Sequence, residues 1–250
     1  MPPPFVPLTL VTSEYPPVLT KQFDLLDSGK LKKSTSAQLA VGRIEILEIA
    51  DLEALAKVTL GLRKNQALIF GLPKDRKAKK LVTEARLDEV PGAIARTKDD
   101  FEWNAGPGYW MLDYDPPDGQ PSISREALVA ALHEAVPALR GTPMLWMPSS
   151  SSHICRIGGE DLTGLRGQRL YVVVDDARDI PRAGRALIDR LWLAGHGYMR
   201  VSSNGSLLPR TLVDAAVWEP NRLDFAAGAS VGPGLEQRRG APILIPSQEI

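Results

Sequence analysis

The stretch YWMLDYDPPDG, residues 109–119, decides how the rest of the chain reads. Tyr109, Trp110, Met111 and Leu112 form the apolar run of a buried strand, and Asp113 and Asp115 follow at once. Side chains alternate faces along a strand, so the two carboxylates point the same way and Tyr114 points the other. Two like charges on one face repel each other unless a cation lies between them. The PPDG that follows stops the strand and leaves the pair at an end open to solvent. A hard divalent cation such as Mg²⁺ takes oxygen ligands and keeps positions for phosphate oxygens. An Asp-rich turn closing a strand is the structural alternative.

Outward from that strand the order is regular. SREALVAALHEAVPAL reads as an amphipathic helix capped at Ser122 or Ser124, PMLWMP as a short strand and SSSSH as a polar turn. RLYVVVDD reads as a strong strand, and PRAGRALIDRLWLAG as a helix with Pro181 in its first turn. YMRVSS and NRLDFAA add later strands. The sum is a βαββαβ order, which predicts an α+β fold with a ferredoxin-like, RNA-recognition-motif-like (RRM-like) sheet and its helices on one face, over residues 101–228. Residues 1–100 predict a smaller α/β lobe. There RIEILEI alternates as a strand, DLEALAKVTLGL has helical spacing with Asp51 as cap, and QALIFGL reads as a buried strand. Residues 229–250, rich in glycine and proline, read as a tail or linker.

With 250 residues and 44% hydrophobic side chains, the chain can bury an ordinary core. Lysine plus arginine equal aspartate plus glutamate at 30 each, so affinity for a polyanion has to come from local patches. Residues 73–80, PKDRKAKK, are such a patch, or else a solvated loop. The single cysteine, Cys155, excludes an internal disulfide and any multi-cysteine zinc site, and favours a reducing compartment. The amino terminus MPPPFVPLTLV lacks a basic region and is broken by prolines, unlike a secretory signal. No apolar run approaches the roughly 18 residues of a membrane helix. A cytoplasmic, monomeric protein without membrane contact is the expectation.

Two further features carry chemistry. In PSSSSHICR, hydroxyls and backbone N–H groups crowd beside His153, a pattern that suits an anion; a flexible serine loop is the alternative. His133, in the amphipathic helix, and His196, at a helix end, read as structural. LYVVVDDARDI is another apolar strand ending in acids. Asp175 and Asp176 face opposite sides if the strand persists, and periodicity does not say which one joins the first pair.

The order Asp113-x-Asp115, then Ser151-x-His153, then a hydrophobic residue before Asp resembles the three motifs of the archaeo-eukaryotic primase superfamily. The segment LIDRLWLAGHGYMRVSSNGSLLPRTLVDAAVWEPNRLDF is similar to the primase-polymerase domains of phage, plasmid and integrated-element replication proteins. The resemblance covers roughly residues 100–228. It implies that Asp113, Asp115 and Asp176 hold Mg²⁺ or Mn²⁺, with Asp176 preferred over Asp175. It also implies that Ser151 and His153, with Arg210, bind the triphosphate of an incoming nucleotide. A surface salt bridge to Asp214 is the alternative role for Arg210. The implied activity is that of a DNA primase and DNA-directed polymerase, a transferase that makes and extends primers in the replication of a mobile element or phage. Its partners would be a single-stranded DNA template, ribo- or deoxyribonucleoside triphosphates and a fused or separate helicase. Residues 73–80, Arg156, Arg200 and Arg210 are the candidates for template contact, whereas Tyr109, Trp110 and Tyr114 read as core. Many relatives carry a cysteine-rich zinc knuckle, which a chain with one cysteine cannot build. A two-metal nuclease and a non-catalytic DNA-binding replication-initiator module are the rival readings.

Overall fold

The structure, a computed structural model, describes residues 5–35, 38–117 and 120–248. Asp118 and Gly119 of the expected strand break therefore lie outside the described residues. The amino-terminal part contains β1 (Val6–Tyr15), β2 (Lys21–Leu25), β3 (Leu31–Thr35), β4 (Val41–Ile49), α1 (Leu52–Gly61), β5 (Gln66–Ile69), β6 (Leu72–Pro73), β7 (Lys80–Val82), β8 (Ala93–Ala95) and β9 (Phe101–Glu102). Next come β10 (Gly108–Tyr114), α2 (Arg125–Ala135), β11 (Met144–Pro148), β12 (Ile154–Arg156), β13 (Gln168–Val174), α3 (Ile180–Leu193), β14 (Gly197–Val201), β15 (Leu207–Thr211) and β16 (Leu223–Asp224). The tail adds β17 (Ser230–Val231), β18 (Leu235–Gln237) and β19 (Ile243–Ile245). The fold is thus mixed α+β and rich in strands. No helix among the described residues is long and apolar enough to cross a membrane.

Local chemistry sets the helix ends. Asp51 caps α1 by accepting from the Ala54 N–H at 2.7 Å, and Ser124, not Ser122, caps α2 by accepting from Ala127. Pro181 lies in the first turn of α3, where its missing N–H costs nothing.

Two sheets organise the molecule. One runs β16-β5-β1-β4-β7-β8, and the other, antiparallel throughout, runs β10-β13-β11-β19. Alternation divides the second sheet cleanly. Trp110, Leu112, Tyr114, Trp146, Leu170 and Val172 pack against Leu128 and Leu132 of α2 and Leu187 and Leu191 of α3. Tyr109, Met111, Leu145, Met147 and Tyr171 face the other way, onto β1, α1 and Phe70. Each large side chain so buried contributes roughly 1.5–3 kcal/mol over exposure. Tyr109, Trp110 and Tyr114 are core residues, as their spacing predicts.

Three sequence expectations change. The fourth strand of the βαββαβ order does not extend this sheet, because β14 folds back on β15 as a separate hairpin. The free edge of β10 is instead capped by the following segment: the Asp214 N–H donates to the Asp113 carbonyl, and the Trp218 indole N–H donates to that of Met111. The 229–250 tail is not a free linker, since β17 pairs with β2, β18 with β12, and β19 completes the edge beside β11. Finally, the boundary near residue 100 is crossed. β16, far along the chain, pairs with β5 in the amino-terminal sheet.

Candidate functional site

The antiparallel register of β10 and β13 decides which acids meet. Asp113 lies opposite Arg169, and Gly108 opposite Val174. The end of β10 that carries the Asp pair is therefore the beginning of β13, and Asp175 and Asp176 leave the sheet at its other end. There the Ala177 N–H donates to the Gly106 carbonyl. At about 3.4 Å per residue, the five steps from Gly108 to Asp113 alone span roughly 17 Å. Asp176 thus does not join Asp113 and Asp115. It caps the short 3₁₀ turn Ala177–Asp179 and pairs with Arg178, whose hydrogen bonds hold its carboxyl below the usual range.

Asp224 stands where the third carboxylate was expected. It lies on β16, is 1% exposed, and accepts a hydrogen bond from the Tyr171 hydroxyl at 2.7 Å. Arg169, 6% exposed, sits between the acids, its Nε 2.9 Å from Asp224 Oδ1 and 3.7 Å from Asp113 Oδ1. The strand in NRLDFAA was legible; its meeting with Arg169 was not, because the partner strands belong to different sheets. Burial pushes the Asp113 carboxyl up to about 6; Arg169 opposes the shift, and Asp115 and Asp224 add to it. For Arg169, burial works against the charge, but Asp224 and Asp113 outweigh it and hold the guanidinium charged.

This gives a pH prediction. Because the folded Asp113 pKa lies above that of an ordinary carboxylate, folding favours the protonated form. The stability it carries is present at low pH and lost as pH rises through about 6. Asp113→Asn is expected to stabilise the fold at pH 8 by roughly 3 kcal/mol and at pH 4 by under about 1 kcal/mol. Thermal unfolding at the two pH values checks this, and equal shifts at both would contradict it.

The serine run is a packed turn. Ser149, Ser150, Ser151 and Ser152 are all buried; the Ser149 N–H donates to the Gly167 carbonyl and the Ser152 hydroxyl donates to the same oxygen. A Cβ at Gly167 would overlap the Asp115 carboxylate and the Ser149 hydroxyl and force those side chains to shift. That close approach ties the serine turn to the Asp pair. Lys21, from β2, donates to Ser151 Oγ at 2.7 Å. Its ammonium is pushed down to about 8, by burial first and by Arg169 next.

A cleft of about 720 Å³ opens at this point. Asp115, Ser151 and Arg210 line it, together with Lys21, Lys33, Arg166 and Arg200. His153 is not among the lining residues. Its backbone is left-handed, with φ 55°, and its Nδ1 lies 2.7 Å from Asp161 Oδ2, so Nδ1 carries the proton and Nε2 is left for another partner. Burial works upward on Asp161, but hydrogen bonds from His153, Gly164 and Thr163 hold its carboxyl below the usual range. Among the described residues no ion pair joins Arg210 to Asp214; the Asp214 side chain accepts from the Ala216 N–H. Residues 73–80 and Arg156 lie outside the cleft, where Arg76 pairs with Glu102 and Arg156 with Glu160.

Among the described residues no three His, Cys, Asp or Glu side chains converge as a closed metal cage. Asp113 and Asp115 fit a more open mode, in which one or two carboxylates share Mg²⁺ with waters and substrate phosphates. Arg169 meets the charge of Asp113 and Asp224 from within, so the outward-facing pair is what a divalent cation would use. No family model, curated protein or solved structure matches the chain.

Proposed function

We propose that the protein is a DNA-templated nucleotidyltransferase, a primase-polymerase of the archaeo-eukaryotic primase kind. The observation that supports this most is a single cleft that has Asp115 at one wall, Ser151 within it, and five cationic side chains around them, Lys21, Lys33, Arg166, Arg200 and Arg210. Acid, hydroxyl and base so disposed suit a cation-bound triphosphate. The strand order β10-β13-β11 is that of the first, third and second strands of an RRM-like sheet, which supports the same reading of the core.

In this reading Asp113 and Asp115 would hold Mg²⁺ or Mn²⁺, which would supply charge stabilisation for phosphoryl transfer. Asp224 takes the place expected for Asp176 and acts through Arg169, which keeps Asp113 in position. Ser151 and Arg210 contact phosphate oxygens. His153, fixed by Asp161, donates from Nε2 when it is an imidazolium, because Nδ1 is already committed to the carboxylate.

The test is primer synthesis by the purified chain on single-stranded DNA, with labelled ribo- or deoxyribonucleoside triphosphates and each cation in turn. Template- and cation-dependent products are expected. Cation-dependent degradation of the template without nucleotide use would identify a nuclease. Binding that needs no cation and yields no product would identify a DNA-binding module.

A further inference from the structure

Two of the five cationic side chains of the cleft, Lys21 and Lys33, come from the amino-terminal part of the chain. On β2, residues alternate so that Lys21 and Phe23 share a face, and β3 sets Lys33 directly opposite Phe23 on that face. All three line the cleft. Among the described residues neither Lys21 nor Lys33 forms an ion pair with a carboxylate. Lys21 instead spans 130 residues of sequence to donate to Ser151, itself 8% exposed, within the cleft. Lys33 repels the Lys21 ammonium while Asp115 and Asp113 attract it, and phosphates bound in the cleft would add anionic charge beside both lysines.

We propose that Lys21 and Lys33 form a subsite for the terminal phosphates of a nucleoside triphosphate, and that this subsite makes the cleft prefer triphosphates over monophosphates. The inference rests on the nucleotidyltransferase reading and adds to it a contribution from the amino-terminal lobe. Phosphate oxygens could come from a nucleotide or from the DNA backbone. The geometry favours the nucleotide, because Lys21 is anchored to a buried serine and the cleft volume of about 720 Å³ falls within the range of small-molecule sites, about 300–1,000 Å³. Arg166 and Arg210 also line the cleft and would contact the remaining phosphate oxygens.

Binding of ATP, AMP and a short single-stranded oligonucleotide, each with Mg²⁺, to the full chain and to its Lys21→Met/Lys33→Met variant tests this. The wild-type chain should bind ATP at least about tenfold more tightly than AMP, and the double variant should lose that preference with oligonucleotide binding unchanged. Lys21→Arg should keep it. In the incorporation assay the double variant should raise the nucleotide KM by about tenfold and change kcat by less than about threefold. Undiminished ATP preference in the double variant, or a parallel loss of oligonucleotide binding, would overturn the proposal. If the double variant does not fold, Lys33→Met alone decides, because Lys33 is exposed and its removal leaves the Lys21–Ser151 bond in place. Incorporation by the wild type with no effect of the lysine changes would remove the subsite and leave the activity standing. A lysine-dependent ATP preference without incorporation would do the reverse.

Discussion

Replacing Asp113 and Asp115 together by alanine is expected to abolish cation-dependent nucleotide incorporation on single-stranded DNA, by at least about a thousandfold, with the fold intact. Asp115, one residue past the end of β10, lines the cleft, Asp113 lies close enough to feel its charge, and no basic side chain pairs with Asp115 among the described residues. Their removal takes away the acceptors a divalent cation needs. Stability should not suffer, since burial, with Asp115 and Asp224, outweighs Arg169 and disfavours the charge on Asp113. Asp176→Ala is the matching control. It is expected to retain activity within about twofold, because Asp176 caps a turn at the far end of the sheet. Incorporation is read by product length on a gel, and folding by thermal unfolding. Unchanged synthesis in the double variant, or equal loss in the Asp176 variant, would overturn the site.

The second large effect is on stability. Arg169→Met is expected to destabilise the fold by roughly 3–5 kcal/mol at neutral pH, as breaking a buried pair from one side does. The guanidinium is the cation between Asp113, which is partly buried, and Asp224, which is fully buried. Without it two carboxylates face each other in a poorly solvated space. The loss should shrink as pH falls, because protonation of the carboxyls removes the uncompensated charge. Adding Asp224→Asn to Arg169→Met should recover part of the loss, a coupling that a double-mutant cycle in denaturant measures. A loss under about 1 kcal/mol, or one independent of pH, would show that Arg169 is not the counter-ion of this cluster.

Much of the local structure could be read from one dimension. Asp51 and Ser124 cap the helices that follow them because an acceptor side chain just before an apolar-periodic run satisfies the first free N–H groups. The alternation in residues 109–115 placed Asp113 with Tyr109 and Met111, and Tyr114 with the helix-facing core. The serine run was legible as a turn beside the site, but its burial was not. Gly167, which lets Asp115 and Ser149 approach, carries no local signal of that role. Lys21 was silent for the same reason: nothing near it in sequence points to Ser151.

What the sequence by itself determined, then, is the set of short-range periodicities: which segments are strands or helices, where they end, and that Asp113 and Asp115 share a face. Pairing between strands was left to tertiary structure, because each ladder joins residues far apart in the chain and hydrogen bonding alone has no preference among partners. The antiparallel register of β10 and β13 sent Asp176 to the far end of the sheet. The pairing of β16 with β5 brought Asp224 to Arg169, and through it near Asp113, where Asp176 had been expected as a metal ligand.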